Sequence, residues 1–421
     1  MTAMDTLPDA MPKHDDGMID LRELGRTLVE TLVNEVMATQ ADMLCEDGNS
    51  RNGSRERRLV TSVGEITMRI PKLRMGSYFP DDVIERYSRT DRAVVAAVAE
   101  MYATGVSTRK VERVAARLGV AKMSASQVSR ICGTLDEEVA DLQHQTFEDV
   151  EFPYLWIDAT YIKARNGAHI SSMAAVTAIG CGADGIRRFV GFDCVDTESY
   201  ASWKGFPEGL RTRGIKGVRR VTTDAHEGLR KAMSECFPGA TWQRCIVHLE
   251  RDVCSLLKTR MQRAMAGKAM QAVFGESDPV MVREAYHVAI DEIGRSGSAA
   301  AELLEEAEVD ALAHLDFPVE HRRRLRTDNV QERANRETRR RSRVVQVFPS
   351  TKSLIRLIGA VCCETDEDWS SRCYIAPDSL AVLKEDPKPA EPIEATEEDK
   401  QRATRLIAVA MESAGQKRRA A

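Results

Sequence analysis

The sequence predicts a mixed α/β fold, preceded by a helical region and carrying an all-helical insertion. Three observations predict it. Between residues 154 and 248, short β-rich runs and helical runs follow in the order three strands, helix, strand, helix, strand, which suits a mixed sheet with helices packed on it. Residues 249–325 read as helical throughout, with breaks at Gly275, Pro279, Gly294 and Gly297. Upstream, residues 91–142 carry three helical runs marked by glycine stops and Ser/Thr starts.

A chain of 421 residues is long enough for two or three domains. Apolar residues make up 43% and charged residues 30%, a balance that supplies a sizeable core and excludes a disordered or fibrous chain. No run of 18 apolar residues occurs, so no transmembrane helix and no membrane partner is expected. The opening MTAMDTLPDAMPKHDDGMID is acidic and lacks the apolar centre of a secretory signal. With no export signal, the ten cysteines are expected to be reduced thiols in a cytoplasmic protein.

Residues 1–18 show no periodicity and read as disordered. Leu21, Leu24, Leu28, Leu32 and Val36 then recur at helical spacing. The stretch EDGNSRNGSRERR reads as a loop, and RLVTSVGEITMRIPKLR alternates as a hairpin turning near Gly64 and ended by Pro71. Next come DRAVVAAVAEMYATG, closed by Gly105, then STRKVERVAARLGV, and a third helix capped by Ser124 or Ser126. Helix, short turn and capped helix form a helix-turn-helix candidate, in which Ser124, Ser126, Gln127 and Arg130 face DNA; a plain three-helix bundle is the structural alternative. YLWIDATYIKAR, SSMAAVTAIGC and RRFVGFDCVD are expected as an antiparallel meander. SYASWKGFPEGLRTRG is helical, GVRRVTTD is a buried-type strand, AHEGLRKAMSECF is a helix and ATWQRCIVH a further strand. Helices are expected over Asn329–Arg343 and after Pro349, followed by a Pro- and Glu-rich segment and a short basic helical tail.

Three carboxylates stand out. Asp158 interrupts an apolar strand, where Asp is rare and costly if buried alone; pleat alternation puts it with Trp156 and Thr160, so a solvent-facing Asp is the plain alternative. Asp224 ends a strand just before a helix, either as a helix cap or at the strand end where α/β sheets bind ligands. Glu332 lies in an arginine-rich helix and could simply pair with Arg336, yet Asn329, Glu332, Arg333, Arg336 and Arg340 share one helical face. Three such acids can hold two Mg²⁺ ions for an in-line phosphoryl displacement.

The net charge of −5 argues weakly against a nucleic-acid partner, because a DNA footprint is local. From Glu320 to Arg343 ten arginines face four acids, with no lysine among them, and guanidinium forks suit phosphate oxygens. NGSRERR, from Asn52, is a second basic cluster. Cys245 and His248 form a Cys-x-x-His pair, two of the four ligands of a structural zinc site. Cys254, His287 and His314 are later donors, none forming a second pair of suitable spacing. A role in shaping the active site or contacting DNA, or a buried thiol and a satisfied imidazole, are the other readings of the pair.

Over roughly residues 50–365 the chain resembles the mutator-type transposases of bacterial insertion sequences. The resemblance rests on MYATGVSTRKVE, YLWIDATYIKAR, SYASWKGFPEGLRTRG, VTTDAHEGLRKA, FPGATWQRCIVHLERDV and RTDNVQERANRETRRRSRVVQVFPS occurring in this order. It implies a DDE transposase with a ribonuclease-H-like catalytic domain, whose acids fall on Asp158, Asp224 and Glu332, 66 and 108 residues apart (224 − 158 and 332 − 224). It further implies two Mg²⁺ ions, with Mn²⁺ as an alternative, strand cleavage at terminal inverted repeats, and 3′-OH strand transfer into target DNA. Arg333, Arg336, Arg339, Arg340 and Arg341 would hold phosphates, with Cys245, His248 and Asn329 as active-site support. A homodimer or larger assembly, nucleoid-associated when bound to DNA, follows from the need to join two ends. Asp328 departs from the family pattern, which has an uncharged residue beside Asn329. The expected division is 1–50 (tail and helix), 51–150 (hairpin and helical DNA-binding region), 151–365 (catalytic domain with its insertion at about 249–325) and 366–421 (tail). The rival functions are a nuclease on the same fold and a DNA-binding regulator with a silent catalytic domain.

Overall fold

A computed structural model of the full chain describes residues 11–45, 49–80, 92–106, 108–117, 124–166, 169–196, 200–384 and 394–416. Of the stretch 1–18 expected to be disordered, residues 1–10 lie outside the described residues, as does the helix-closing Gly119, whereas Lys13 forms an antiparallel bridge with Ile19. The chain divides into two compact units, Met1–Glu137 and Glu138–Ala421.

In the first unit, α1 (Leu21–Met43) starts at Asp20, whose carboxylate accepts from the amides of Arg22 and Glu23. Strands β1 (Arg51–Thr61) and β2 (Gly64–Leu73) form an antiparallel hairpin. Alternation buries Leu59, Ile66, Met68 and Ile70 on one face, where Met37 of α1 covers them. Two expectations change. The NGSRERR stretch is strand rather than loop, because its residues pair in register with Met68–Pro71, and Pro71 sits inside β2 rather than ending it. Three short helices follow: α2 (Arg92–Ala103), α3 (Thr108–Arg117) and α4 (Ala125–Ile131). They share a small core of Val94, Val98, Val111, Ala115 and Val128. Gly105, at φ +87°, ends α2 in a conformation that suits glycine. The expected long third helix is broken by a 3₁₀ turn at Cys132–Thr134, and α5 (Leu135–His144) resumes after it, across the division.

The second unit is built on a five-stranded mixed sheet. Its strands are β3 (Tyr154–Asn166), β4 (His169–Cys181), β5 (Arg187–Asp196), β6 (Arg220–Thr223) and β7 (Thr241–Arg244), in the order β5-β4-β3-β6-β7. The meander β3-β4-β5 is antiparallel, whereas β6 and β7 run parallel to β3. Helices α6 (Tyr200–Thr212) and α7 (Glu227–Cys236) supply the crossovers. The sheet is buried on both faces. Leu155, Ile157, Val176 and Val190 pack against Trp203 and Leu210 of α6 and Leu229 and Met233 of α7. Tyr154, Trp156, Ile179 and Phe189 face the other way, against α13 (Asn329–Val345) and α14 (Thr351–Ser370). Each such fully buried aromatic contributes about 1.5–3 kcal/mol. The strand expected over ATWQRCIVH is only four residues long, because Ile246 already begins α8 (Ile246–Leu256).

Helices α8, α9 (Arg260–Gly275), α10 (Pro279–Gly294) and α11 (Ser298–Leu312) enclose a separate apolar core. The short α12 (Val319–Leu325) then returns the chain to the sheet. Thr222 of β6 donates its hydroxyl to the carbonyl of Leu325 at 2.8 Å, and the fully buried Arg220 bonds Gln243 and the same carbonyl. A short helix, α15 (Pro377–Ala381), follows α14. The C-terminal segment, expected as a tail, ends in α16 (Glu397–Gln416). Its Ala403, Ile407 and Met411 are buried in the core of the helical insertion.

Candidate active site

β6 lies beside β3 with Trp156 opposite Thr222. Two residues further along that register stand Asp158 and Asp224. Adjacent strands are about 4.8 Å apart, so the two aspartates lie near one another just past the carboxyl end of a parallel pair, where α/β sheets bind ligands.

Asp158 is 5% exposed, so it is not a solvent-facing strand residue. The face it shares with Trp156 and Thr160 is covered by α13 and α14. Its Oδ2 accepts a hydrogen bond from Asn335 Nδ2 at 2.5 Å. Burial, then the negative charges of Asp328 and Asp224, push its carboxyl up to about 7, while His248 pulls the other way. Asp224 is half-buried and does not cap α7. His226 does, its Nδ1 accepting from the Leu229 amide at 3.3 Å, and Asp224 Oδ1 accepts from the His226 amide at 3.3 Å.

α13 positions the remaining groups. Gln331 donates to the carbonyls of Trp156 (2.7 Å) and Thr177 (2.9 Å), which clamps the helix onto the sheet. Helical spacing places Asp328 one turn before Gln331 and Asn335 one turn after it, on the buried side. Glu332 lies on the rim beside them. Its side chain is 63% exposed and pairs with Arg336 at 3.0 Å. Asp158, Asp224 and Asp328 are thus brought together, whereas among the described residues Glu332 does not close a cage with the two aspartates. Sequence reasoning passed over Asn335 and Gln331; the signal was a second polar stripe at three-to-four spacing (Asp328, Gln331, Asn335) opposite the arginines.

Asn329, Arg333, Arg336, Arg339 and Arg340 are exposed along the outer side of α13. Arg340 pairs with Glu337 at 2.7 Å and Arg333 stands 3.7 Å from Asp368. Arg341 does not join them, a correction to the expected phosphate-binding set. It is 3% exposed, and its guanidinium bonds Glu364 at 2.6 Å, because position 341 falls on the inward side of the helix. In the first unit, Ser124 caps α4 in a reciprocal capping box, Gln127 Oε1 accepting from the Ser124 amide at 2.7 Å. Gln127 therefore has a structural task, while Ser126 and Arg130 are exposed.

Cys245 precedes α8 and is fully buried. Its thiol donates to Asp328 Oδ1 at 2.9 Å, and His248 Nδ1 stands 3.3 Å from Asp328 Oδ2. Asp328 beside it, then Cys245, raise the imidazole to about 11. Burial opposes ionisation of Asp328, yet His248 and Cys245 together hold it below the ordinary carboxylate value. Asp328 is buried, so its charge is not presented to DNA. The other donors weighed for zinc lie elsewhere: His287 binds Glu308 at 2.8 Å, His314 bonds the Ala311 carbonyl, and Cys254 bonds the Arg263 carbonyl.

Fold and site together define an α/β protein with an acidic centre at a sheet end and a row of exposed arginines beside it, a chemistry suited to polyanionic substrates. The family model described as "Transposase, Mutator family" matches residues 5–372. The chain is 36% identical over 356 residues to the transposase for insertion sequence element IS1081 of Mycobacterium tuberculosis, covering 82% of this chain and 86% of that protein. It is 37% identical over 320 residues to the transposase for insertion sequence element IS406 of Burkholderia multivorans (76% and 82%). With the transposase for insertion sequence element IS256 in transposon Tn4001 of Staphylococcus aureus the identity is 33% over 368 residues (84% and 93%). The chain belongs to the Mutator family of transposases, enzymes that act on DNA. No helix among the described residues is long and apolar enough to cross a membrane.

Proposed function

We propose that the protein is a DDE transposase that cuts the ends of an insertion sequence and joins the freed 3′-OH to target DNA. The observation that carries this reading is the juxtaposition of Asp158 and Asp224 just past the parallel β3–β6 pairing, with Asp158 buried beside further carboxylates. The three antiparallel and two parallel strands, with helices on both faces, support a ribonuclease-H-like catalytic domain. The helical segment between β7 and α13 is its insertion.

A buried carboxyl that burial and neighbouring acids push up to about 7 fits a divalent cation better than it fits an empty pocket. Asp158, Asp224 and Glu332 would hold Mg²⁺, or Mn²⁺ in its place. When bound, such ions supply Lewis-acid stabilisation of the attacking and leaving oxygens in an in-line displacement. Asn335 orients Asp158 through its 2.5 Å hydrogen bond, and Gln331 sets the height of α13 on the sheet. Glu332, whose exposed contact with Arg336 is worth less than about 1 kcal/mol, would supply the third carboxylate to such an ion. Arg333, Arg336, Arg339 and Arg340 hold DNA phosphates, and the exposed face of α4 with Ser126 and Arg130 contributes to recognition of the terminal inverted repeats. Joining two ends requires a dimer or larger assembly.

The test is a cleavage and strand-transfer assay on DNA carrying the element's own ends, in Mg²⁺ and in EDTA. Wild-type protein should yield nicked ends and joined products only with the metal. Undiminished products from Asp224→Asn would refute the mechanism.

A further inference from the structure

We propose that Cys245, His248 and Asp328 form a site for one divalent transition-metal ion of the zinc class, separate from the oxygen-lined centre of Asp158 and Asp224. This site does not depend on the DDE reading.

One donor atom from each residue, a sulfur, a nitrogen and an oxygen, lies within 4.8 Å of the other two. The backbone holds them there. Cys245 and His248 occupy the cap and third position of α8, so the first helical turn sets them side by side. The Leu249 amide bonds the Cys245 carbonyl at 3.0 Å and closes that turn. Asp328 immediately precedes α13, and the Ile246 amide donates to the Arg326 carbonyl at 3.1 Å, tying the two helix starts together. The donors therefore come from elements that the fold fixes, not from mobile side-chain tips.

Polar accounting also points to a cation. Cys245 is 0% exposed and Asp328 7%. Asp328 Oδ2 and His248 Nδ1 are both buried without a hydrogen bond, although 3.3 Å apart. An unsatisfied buried polar group is costly. A metal would take a lone pair from both once the imidazole has released its proton, and the thiol would release its proton as well on binding. The donor set selects the metal: thiolate and imidazole suit Zn²⁺ or Co²⁺, whereas Mg²⁺ prefers oxygen. Tetrahedral bonds of about 2.0–2.3 Å place ligands roughly 3.3–3.8 Å apart. The present 2.9 Å sulfur–oxygen contact must therefore open slightly, while the 3.3 Å nitrogen–oxygen contact already fits. A fourth position is left for water. Asp328, the residue that departs from the family pattern, completes what would otherwise be a two-ligand motif.

The full chain, stripped of metal and titrated with Co²⁺, provides the test. The expected result is one tightly bound ion with a near-ultraviolet thiolate-to-cobalt band and visible bands of tetrahedral Co²⁺. Cys245→Ser should lose the near-ultraviolet band. Asp328→Asn should keep that band but weaken binding by about 10–100-fold. Asp224→Asn should leave the spectrum unchanged, which separates this site from the DDE centre. Absence of a thiolate band in the wild type, its persistence in Cys245→Ser, or its loss in Asp224→Asn would each overturn the proposal. Circular dichroism and thermal melting establish that each variant is folded, and should Cys245→Ser not fold, unchanged Co²⁺ affinity in Asp328→Asn overturns it alone.

Discussion

The two sides of α13 carry polar residues at the same helical period, yet the physics of the two sides differs. On the inner side, Asp328, Gln331 and Asn335 are buried, and each is matched to a particular partner on the sheet or on α8. On the outer side, Glu332, Arg333, Arg336, Arg339 and Arg340 stand in water, and the ion pairs of Glu332, Arg333, Arg336 and Arg340 are solvent-exposed. Exposed ion pairs contribute about 0–1 kcal/mol, so these side chains can exchange partners for phosphate or metal at little cost. Gln331 and Asn335 cannot, because losing the bond to the sheet leaves a buried polar atom unsatisfied. The same helix thus provides fixed positioning on one side and exchangeable charge on the other.

The largest effect should come from the aspartates themselves. Asp158→Asn and Asp224→Asn should each lose more than the roughly 100-fold that removing a partner of a metal ligand costs, read as initial rates of end cleavage. Glu332→Gln should fall as far; a rate within a few-fold of wild type would leave Glu332 as the surface ion-pair partner it resembles. Next comes Asn335→Ala, which keeps the carboxylate but frees its orientation. We expect a loss of about 10–100-fold, with melting temperature measured alongside to separate positioning from unfolding.

A third measurement concerns protons on the inner side. The Asp158 carboxyl is raised from 3.8 to about 7 in the folded chain. In that window the folded protein holds a proton that the unfolded chain has released. Its contribution is therefore present in full below about pH 4 and is lost as pH rises towards 7. The change is at most about 1.4 kcal/mol per pH unit. Denaturant melts of metal-free protein should show this slope in wild type minus Asp158→Asn; a flat difference from pH 4 to 7 would contradict the burial of that carboxyl.

The outer side is tested by salt. Each of Arg333→Gln, Arg336→Gln, Arg339→Gln and Arg340→Gln should reduce the slope of log affinity against log salt by about 0.9 if that residue neutralises a phosphate. The smallest effect is the sharpest contrast. Arg341→Gln should leave the salt slope alone and instead lower stability by about 1–2 kcal/mol, since Arg341 is packed and paired inside the unit. A slope change in Arg341→Gln equal to that of Arg340→Gln would erase the distinction between the two sides.

Much of this was legible locally. The meander at Tyr154–Asp196 shows in its alternation and turns, and the helices at 249–325 in their glycine and proline breaks, because period and punctuation are properties of short segments. Strand extent was less legible. The NGSRERR stretch looks like a loop by composition, and only pairing with β2 makes it a strand. Pro71 sits within β2 because a two-stranded hairpin asks less of its backbone donors than a central strand would. The C-terminal helix looked like a tail because its apolar stripe is modest, and its partner core is contributed by helices more than a hundred residues earlier.

By itself the sequence determined the fold class and the family, and it singled out Asp158, Asp224 and Glu332 as the candidate acids, because each rests on residue identity and order. Tertiary structure decided which polar groups meet. It brought Asp158 near Asp224 beyond the β3–β6 pairing, turned Arg341 inward, and carried Asp328 across the helical insertion to Cys245 and His248. Spacing along a chain records which side of a helix a residue occupies, whereas what lies against that side depends on contacts between segments far apart in sequence.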